Sequence, residues 1–290
     1  MHTNNFNWRT DSSLNRDYNW DPTIAETCII ALADNPQSQA QAQQALHSCE
    51  YVGQPSPWIF DGYDGTDRET IRTPRGLTKP GRSPSFFARK DRELNNVMSW
   101  IKVLDTALSV TEVACALSHI ALWTHCININ RPIVILEHDA YMVRPYTRMT
   151  YTNSCEYLGH SCELNQLFEQ TGTTNYLELV EYLKTTGRYP DPVARLPVTM
   201  IINYNFLFSH GLHAYAIDPF MARRLFAHVL TEGLINPVDA VLEVTSFELV
   251  QSAVYAVLGH SSANSTIDVE QNLSGRSGRK HTNSIPGVSQ

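Results

Sequence analysis

The sequence predicts an α/β fold: a Rossmann-type mixed sheet flanked by helices. Three observations carry that prediction. Residues 27–60 read as strand, helix and strand. A helix apolar nearly all round feeds a β-branched strand that ends in Glu137, His138 and Asp139. A further short strand and helix follow at residues 214–230. The 290 residues suffice for one large α/β domain or two modest ones. Hydrophobic residues at 42% and charged residues at 18% are an ordinary globular balance, so a disordered chain is not expected. No apolar run approaches the roughly 20 residues that span a bilayer. The opening MHTNNFNWRTDSS lacks the apolar core of a signal peptide. The expected location is the cytoplasm, with no transmembrane segment.

Residues 1–22 are polar and read as an N-terminal arm. TCIIAL (27–32) is a first buried strand. The run NPQSQAQAQQALHSC follows, with Pro36 suited to a first helical turn and an Ala/Gln stretch of high helix propensity. Residues 58–60 form a second strand, stopped by DGYDG. Ligands of open α/β sheets bind beyond the carboxyl ends of the strands, where Asp61, Gly62, Tyr63 and Asp64 stand. Residues 94–108 are helical in pattern. Residues 111–126 form a second helix, with Thr111 as its cap and an apolar surface nearly all round. That helix leads into the strand IVIL (133–136). Helices are expected at about 163–170 and 175–187, then the apolar run MIINYNFLF, the strand AYAI and a helix over 219–230. Residues 238–258 read as helix or mixed structure. From Ser261 the chain is rich in Gly and Ser, and 267–290 reads as a flexible tail. The main domain is therefore expected over 23–266.

Six cysteines occur, none in a C-x-x-C pair. Cys28 and Cys115 lie in apolar segments, where Cys behaves as a small hydrophobe. Cys155, His160 and Cys162 are close enough in sequence for zinc, but no second ligand pair at the usual spacing accompanies them. The net charge of −7 argues against a general nucleic-acid binder. A local exception is the Pro/Gly/Ser-rich segment 66–92. It carries Arg68, Arg72, Arg75, Lys79, Arg82, Arg89, Lys90 and Arg92, and reads as a basic loop, either solvated or meeting an anionic substrate.

A carboxylate at the end of a buried strand needs a partner. Two carboxylates one residue apart in a strand project to the same side. Glu137 and Asp139 can thus converge on one cation, while His138 points away or sits in the turn. Hard oxygen ligands suit Mg²⁺ or Mn²⁺, and such an ion suits a diphosphate. With a nucleotide-binding type of start, this pattern suggests a glycosyltransferase. The same spacing also serves strand ends that only cap a helix or pair with Lys or Arg.

The segment LSVTEVACALSHIALWTHCININRPIVILEHDA resembles the core of glycosyltransferase family 25, the lipooligosaccharide and collagen galactosyltransferase group. Glu112, Cys115, Ala116, Leu117, Ser118, His119, Leu122 and Trp123 match its helix, and Glu137, Asp139 and Ala140 match its acidic strand end. Ala114 replaces a usual Gly, and His138 a usual Asp. CIIALADNPQSQAQAQQAL through WIFDGYDG, GLHAYAIDPFMARRLF and INPVDAVL resemble three further blocks, in the family's order. Together they cover roughly residues 27–266; the loop 66–92 and the tail have no counterpart.

The resemblance implies a GT-A-like fold and transfer of a sugar from a UDP-sugar to an acceptor hydroxyl, with inversion. It implies Mn²⁺ or Mg²⁺ on Glu137 and Asp139, beside the donor diphosphate with His138, and a general base at Asp239. The alternative for Asp239 is a helix N-cap. Asp61 and Asp64 would contact the donor's base or ribose, or serve only the turn. His213 and Tyr215 would line the acceptor side, with ordinary core as the alternative for Tyr215. Ser118 and His119 would brace the acidic strand. The acceptor is expected to be a glycan or glycoconjugate. A hydroxymethylated base in DNA is the alternative, as in virus-encoded DNA modification in a host cytoplasm; there Arg72, Arg75, Lys79 and Arg82 would track phosphates. A third reading is an inactive sugar-nucleotide or glycan-binding protein, which His138 would favour.

Overall fold

The computed structural model describes residues 20–64, 110–189, 213–234, 238 and 249–259. The arm up to residue 19, the basic segment with Arg72, Arg75, Lys79 and Arg82, the helix expected at 94–108, the run MIINYNFLF, Asp239 and the tail lie outside these residues. The described chain is a mixed α/β structure. Its strands are β1 (Glu26–Ala31), β2 (Pro57–Asp61), β3 (Ile133–Glu137), β4 (Ala140–Met142), β5 (Cys155–Glu163), β6 (Ala214–Ile217) and β7 (Leu249–Leu258). Its helices are α1 (Pro36–Val52), α2 (Val110–Ile129), α3 (Leu164–Thr171), α4 (Tyr176–Thr186) and α5 (Pro219–Glu232).

Among the described residues the strands form one sheet in the order β2-β1-β3-β6-β5-β7-β4. β1 runs parallel to β2 and β3, whereas β6 is antiparallel to β3 and to β5. β1 and β3 are buried on both faces, as a central strand between two helical layers must be. Their side chains alternate between two cores. Ile29, Ala31, Val134 and Leu136 pack with Ala42, Ala45 and Cys49 of α1. Cys28, Ile30, Ile133 and Ile135 pack with Leu117, Ile120 and Trp123 of α2 and with Met221, Leu225 and Val229 of α5. The period of two therefore sends Glu137, two residues beyond Ile135, to the α2 side.

Helix α1 begins where Asn35 accepts hydrogen bonds from the backbone N–H groups of Gln37 and Ser38, with Pro36 in the first turn. It ends at Gly53, whose φ of 79° is the left-handed cap conformation. Helix α5 starts in the same way on Asp218, which accepts from Phe220 and Met221.

Several expectations need correction. Thr111 lies within α2, which already includes Val110, so it is not the cap. The residues expected to be helix or mixed after 238 contain the ten-residue strand β7. β4 and β5 were not anticipated. No helix among the described residues is long and apolar enough to cross a membrane.

Candidate functional site at the carboxyl end of the parallel strands

The register pairs Ile30 with Glu137 and Ala31 with Asp61. Two acidic residues thus stand at the strand ends on either side of β1, Asp61 one residue further along than Glu137 and, by alternation, on the opposite, α1, face of the sheet. At one interstrand spacing per step they are about 10 Å apart along the sheet.

The turn after β2 folds back over this end. Gly62 N–H donates to the Ala31 carbonyl at 2.8 Å, and Tyr63 N–H donates to Ser118 Oγ at 2.8 Å. Ser118 in turn donates to the Ala114 carbonyl at 3.0 Å. A Cβ on Gly62 would meet Ile30 Cγ2 at 3.0 Å and Ser118 Oγ at 3.1 Å, so the turn can lie this close to β1 and α2 because it carries glycine. Asp61 Oδ1 accepts from Ala33 N–H at 3.2 Å, which joins the loops after β1 and β2. Asp64 is buried at the far side of the turn. Ser118 is thus the link between the Asp61–Asp64 turn and helix α2. Ser118→Ala leaves Tyr63 N–H without its acceptor, and an unsatisfied buried donor costs about 1–3 kcal/mol. A urea unfolding curve is expected to show that loss, with an unchanged slope.

At the end of β3, the Glu137 side chain is 31% exposed, and its Oε1 lies 3.7 Å from His119 Nε2. His119 is fully buried on α2. Its Nδ1 lies 2.9 Å from Tyr215 Oη, which also receives Trp123 Nε1–H at 2.9 Å. The His119 and Tyr215 rings stack at 5.7 Å. Cys115, His119 and Trp123 follow one another at i, i+4 and i+8, so one stripe of α2 faces β3 and β6. Glu137 N–H donates to the His213 carbonyl at 2.9 Å, which extends the β3–β6 ladder by one residue. The His213 ring is held edge-on by Tyr157, whose Oη lies 3.1 Å from Nδ1. Gly159 makes room for it, since a Cβ there would fall 2.2 Å from His213 Nε2.

Glu137 therefore sits among imidazoles. Burial pushes its carboxyl up, but His119 first, then His138 and His213, more than reverse this and hold it below the usual carboxylate range. Tyr157 moves the other way: burial, then the Glu137 charge, push its phenol up. The strand end favours an anion that attracts cations.

β3 stops at Glu137, and His138 and Asp139 form the turn to β4. The expectation that both acids project from one strand is corrected accordingly: alternation fixes Glu137, while Asp139 takes its direction from the turn. The Asp139 carbonyl accepts from Gly259 N–H at 2.7 Å. Its side chain lies near Tyr141, whose phenol is pushed up to about 12 by burial and then by the Asp139 charge.

Among the described residues, the donor atoms of Cys115, His119 and Glu137 all lie within 4.8 Å of one another. Cys115 packs against the hydrophobic core, as expected, and also lies beside His119 and Glu137. The i, i+4 spacing of Cys115 and His119 was the available signal, and the strand end supplies the third group. Cys155 opens β5, and the side chains of His160 and Cys162 further along it lie outside the described residues. His213 and Tyr215, expected on the acceptor side, are both buried behind Glu137, with His213 Nδ1 against Tyr157 Oη and Tyr215 Oη between His119 and Trp123.

The family model described as glycosyltransferase family 25 (LPS biosynthesis protein) matches residues 25–242. No curated protein matches the chain.

Proposed function

Because the chain belongs to glycosyltransferase family 25 and is by family a sugar transferase, we propose that it moves a hexosyl unit from a UDP-sugar to a hydroxyl of a glycan or glycoconjugate, with inversion, on a GT-A-like fold. The observation that carries this reading is the partly open Glu137 carboxylate at the carboxyl end of β3, with Asp61 closing β2 on the other side of β1. Open α/β sheets bind nucleotides at such an edge. Asp61 and Asp64 hold the base or ribose there, in a turn that Ser118 fixes to α2. His138, beside Glu137, lies toward the diphosphate.

Glu137 and Asp139 would hold a divalent ion, Mn²⁺ or Mg²⁺, next to the diphosphate. When bound, such an ion neutralises charge developing on the leaving group. Inversion requires a single in-line attack by the acceptor hydroxyl and a base that takes its proton. Asp239 is assigned that role. The C1–oxygen bond to UDP breaks as the new glycosidic bond forms, and the proton goes to Asp239. His213 and Tyr215 support the acceptor side from behind Glu137.

The glycan acceptor ranks ahead of a DNA base. The family's description names LPS biosynthesis, while the residues that favoured DNA, Arg72, Arg75, Lys79 and Arg82, lie outside the described structure. If DNA is the acceptor after all, log affinity falls with log salt at a slope of about −0.9 per phosphate contact.

The direct test is a thermal-shift screen of UDP-sugars with Mn²⁺, followed by donor hydrolysis and transfer with and without EDTA. A bound donor must raise stability. No shift with any UDP-sugar overturns the donor, and full turnover in EDTA overturns the metal. Asp239→Asn is expected to lower turnover by about 10² or more with donor binding nearly unchanged. Lost donor affinity at unchanged turnover would place Asp239 on the nucleotide instead.

A further inference from the structure

We propose that Cys115, His119 and Glu137 form a binding site for one borderline divalent cation of the Zn²⁺ class, with a fourth position open. The ion needs only these three side chains. That its open position receives a diphosphate oxygen of the donor rests on the function proposed above.

The donor set comes from two elements whose relative placement is fixed by packing. Cys115 and His119 are one helical turn apart on α2, and Glu137 ends β3 on the side that faces α2. All three ligand atoms lie within 4.8 Å of one another. A second observation points independently to a ligand. His119 is fully buried, yet its Nε2 makes no hydrogen bond. Glu137 Oε1, at 3.7 Å, is too far for one. Two ligands of a tetrahedral ion at about 2.0–2.2 Å each are separated by roughly 3.4 Å, so 3.7 Å suits an ion between them better than a shared proton. The Glu137 side chain, 31% exposed, is the ligand placed to shift toward the ion.

The surroundings are those of a metal-ligating histidine. Such a residue usually donates its other ring N–H to an oxygen that fixes its tautomer and orientation. Here Nδ1 lies 2.9 Å from Tyr215 Oη, and Trp123 Nε1–H holds that same oxygen in place. With the proton on Nδ1, the Nε2 lone pair is directed at Glu137.

The chemistry of the set selects the ion. A thiolate, an imidazole and a carboxylate match Zn²⁺ or Co²⁺, whereas Mg²⁺ prefers oxygen donors alone. Three protein ligands with an open position are the pattern of a zinc site that can take an exogenous oxygen. The expected hard ion on Glu137 and Asp139 and this softer site share Glu137, so the two assignments are separable by experiment.

Co²⁺ is the probe, added to the full-length metal-free protein. Expected are one equivalent bound, tetrahedral visible absorption, a near-ultraviolet thiolate-to-cobalt charge-transfer band, and displacement by Zn²⁺. Cys115→Ser, nearly isosteric and checked for fold by circular dichroism, should lose the charge-transfer band. Asp139→Asn should keep it. Absence of Co²⁺ and Zn²⁺ binding, binding without the charge-transfer band, or a band that survives Cys115→Ser overturns the site. UDP-sugar binding in the same samples is scored separately. The cobalt band without any UDP-sugar binding sustains this site and fails the donor, while UDP-sugar binding with Mn²⁺ but no cobalt band sustains the donor and fails this site.

Discussion

Glu137→Gln is expected to lower sugar transfer by about 10²–10³-fold, the size of effect seen when one group that stabilises transition-state charge is removed. The substitution keeps the shape of the side chain and removes its charge. Glu137 is the residue that the oxygen-only metal assignment and the Cys115–His119 assignment have in common, so the loss is expected whichever ion is bound. It also removes the anion around which His119, His138 and His213 are gathered. Circular dichroism should report an intact fold, because the backbone bond from Glu137 N–H to His213 does not involve the side chain. Turnover within a few-fold of wild type, with metal binding preserved, would reduce Glu137 to a counter-ion for buried His119.

The same residue shows what the sequence makes legible. Its strand was readable because Ile133, Val134, Ile135 and Leu136 are apolar without interruption, as a strand buried on both faces requires. Parity then assigns Glu137 a face. The end of the strand was not readable: whether Asp139 continues the alternation depends on a turn whose outgoing strand, Ala140–Met142, pairs with Leu249–Leu258 more than a hundred residues later. Pairing at that distance leaves no local pattern, and three residues are too few to show one. β5 was hidden for another reason. CEYLGHSCE mixes charged, aromatic and small residues, and its Gly159 is set by the bulk of His213, a residue from elsewhere in the chain. Helix α1 was the opposite case, since Asn35, Pro36 and Gly53 mark both of its ends locally. The candidate site divides likewise. The acidic strand end and the Asp61 turn were legible from strand ends and turn residues. The Cys115–His119–Glu137 cluster was not, because helical spacing brings the first two together but only the packing of α2 against β3 and β6 adds the third.

That packing converges on one oxygen, and its removal gives the second large effect. Tyr215→Phe deletes an atom that is fully buried and shared by Trp123 Nε1 and His119 Nδ1, each at 2.9 Å. Phenylalanine fills nearly the same volume, so the apolar contacts with α2 survive, and the cost falls on the two nitrogens left behind. Each unsatisfied buried group costs about 1–3 kcal/mol, and because the two share a partner the terms need not add, so a total of about 2–5 kcal/mol is expected. Urea unfolding should show it as a lower midpoint with an unchanged slope. It should exceed the effect of Ser118→Ala, which strands a single N–H. The second consequence concerns His119, whose ring orientation depends on that hydroxyl. Co²⁺ affinity is expected to fall by about 10- to 100-fold in Tyr215→Phe, the usual result of removing the partner of a metal-bound histidine, while the thiolate charge-transfer band persists once the site is filled. A stability loss with unchanged Co²⁺ affinity would make Tyr215 a core hydrogen-bond acceptor and nothing more. Lower affinity with the band retained would place it behind the site as the residue that aims His119 at Glu137.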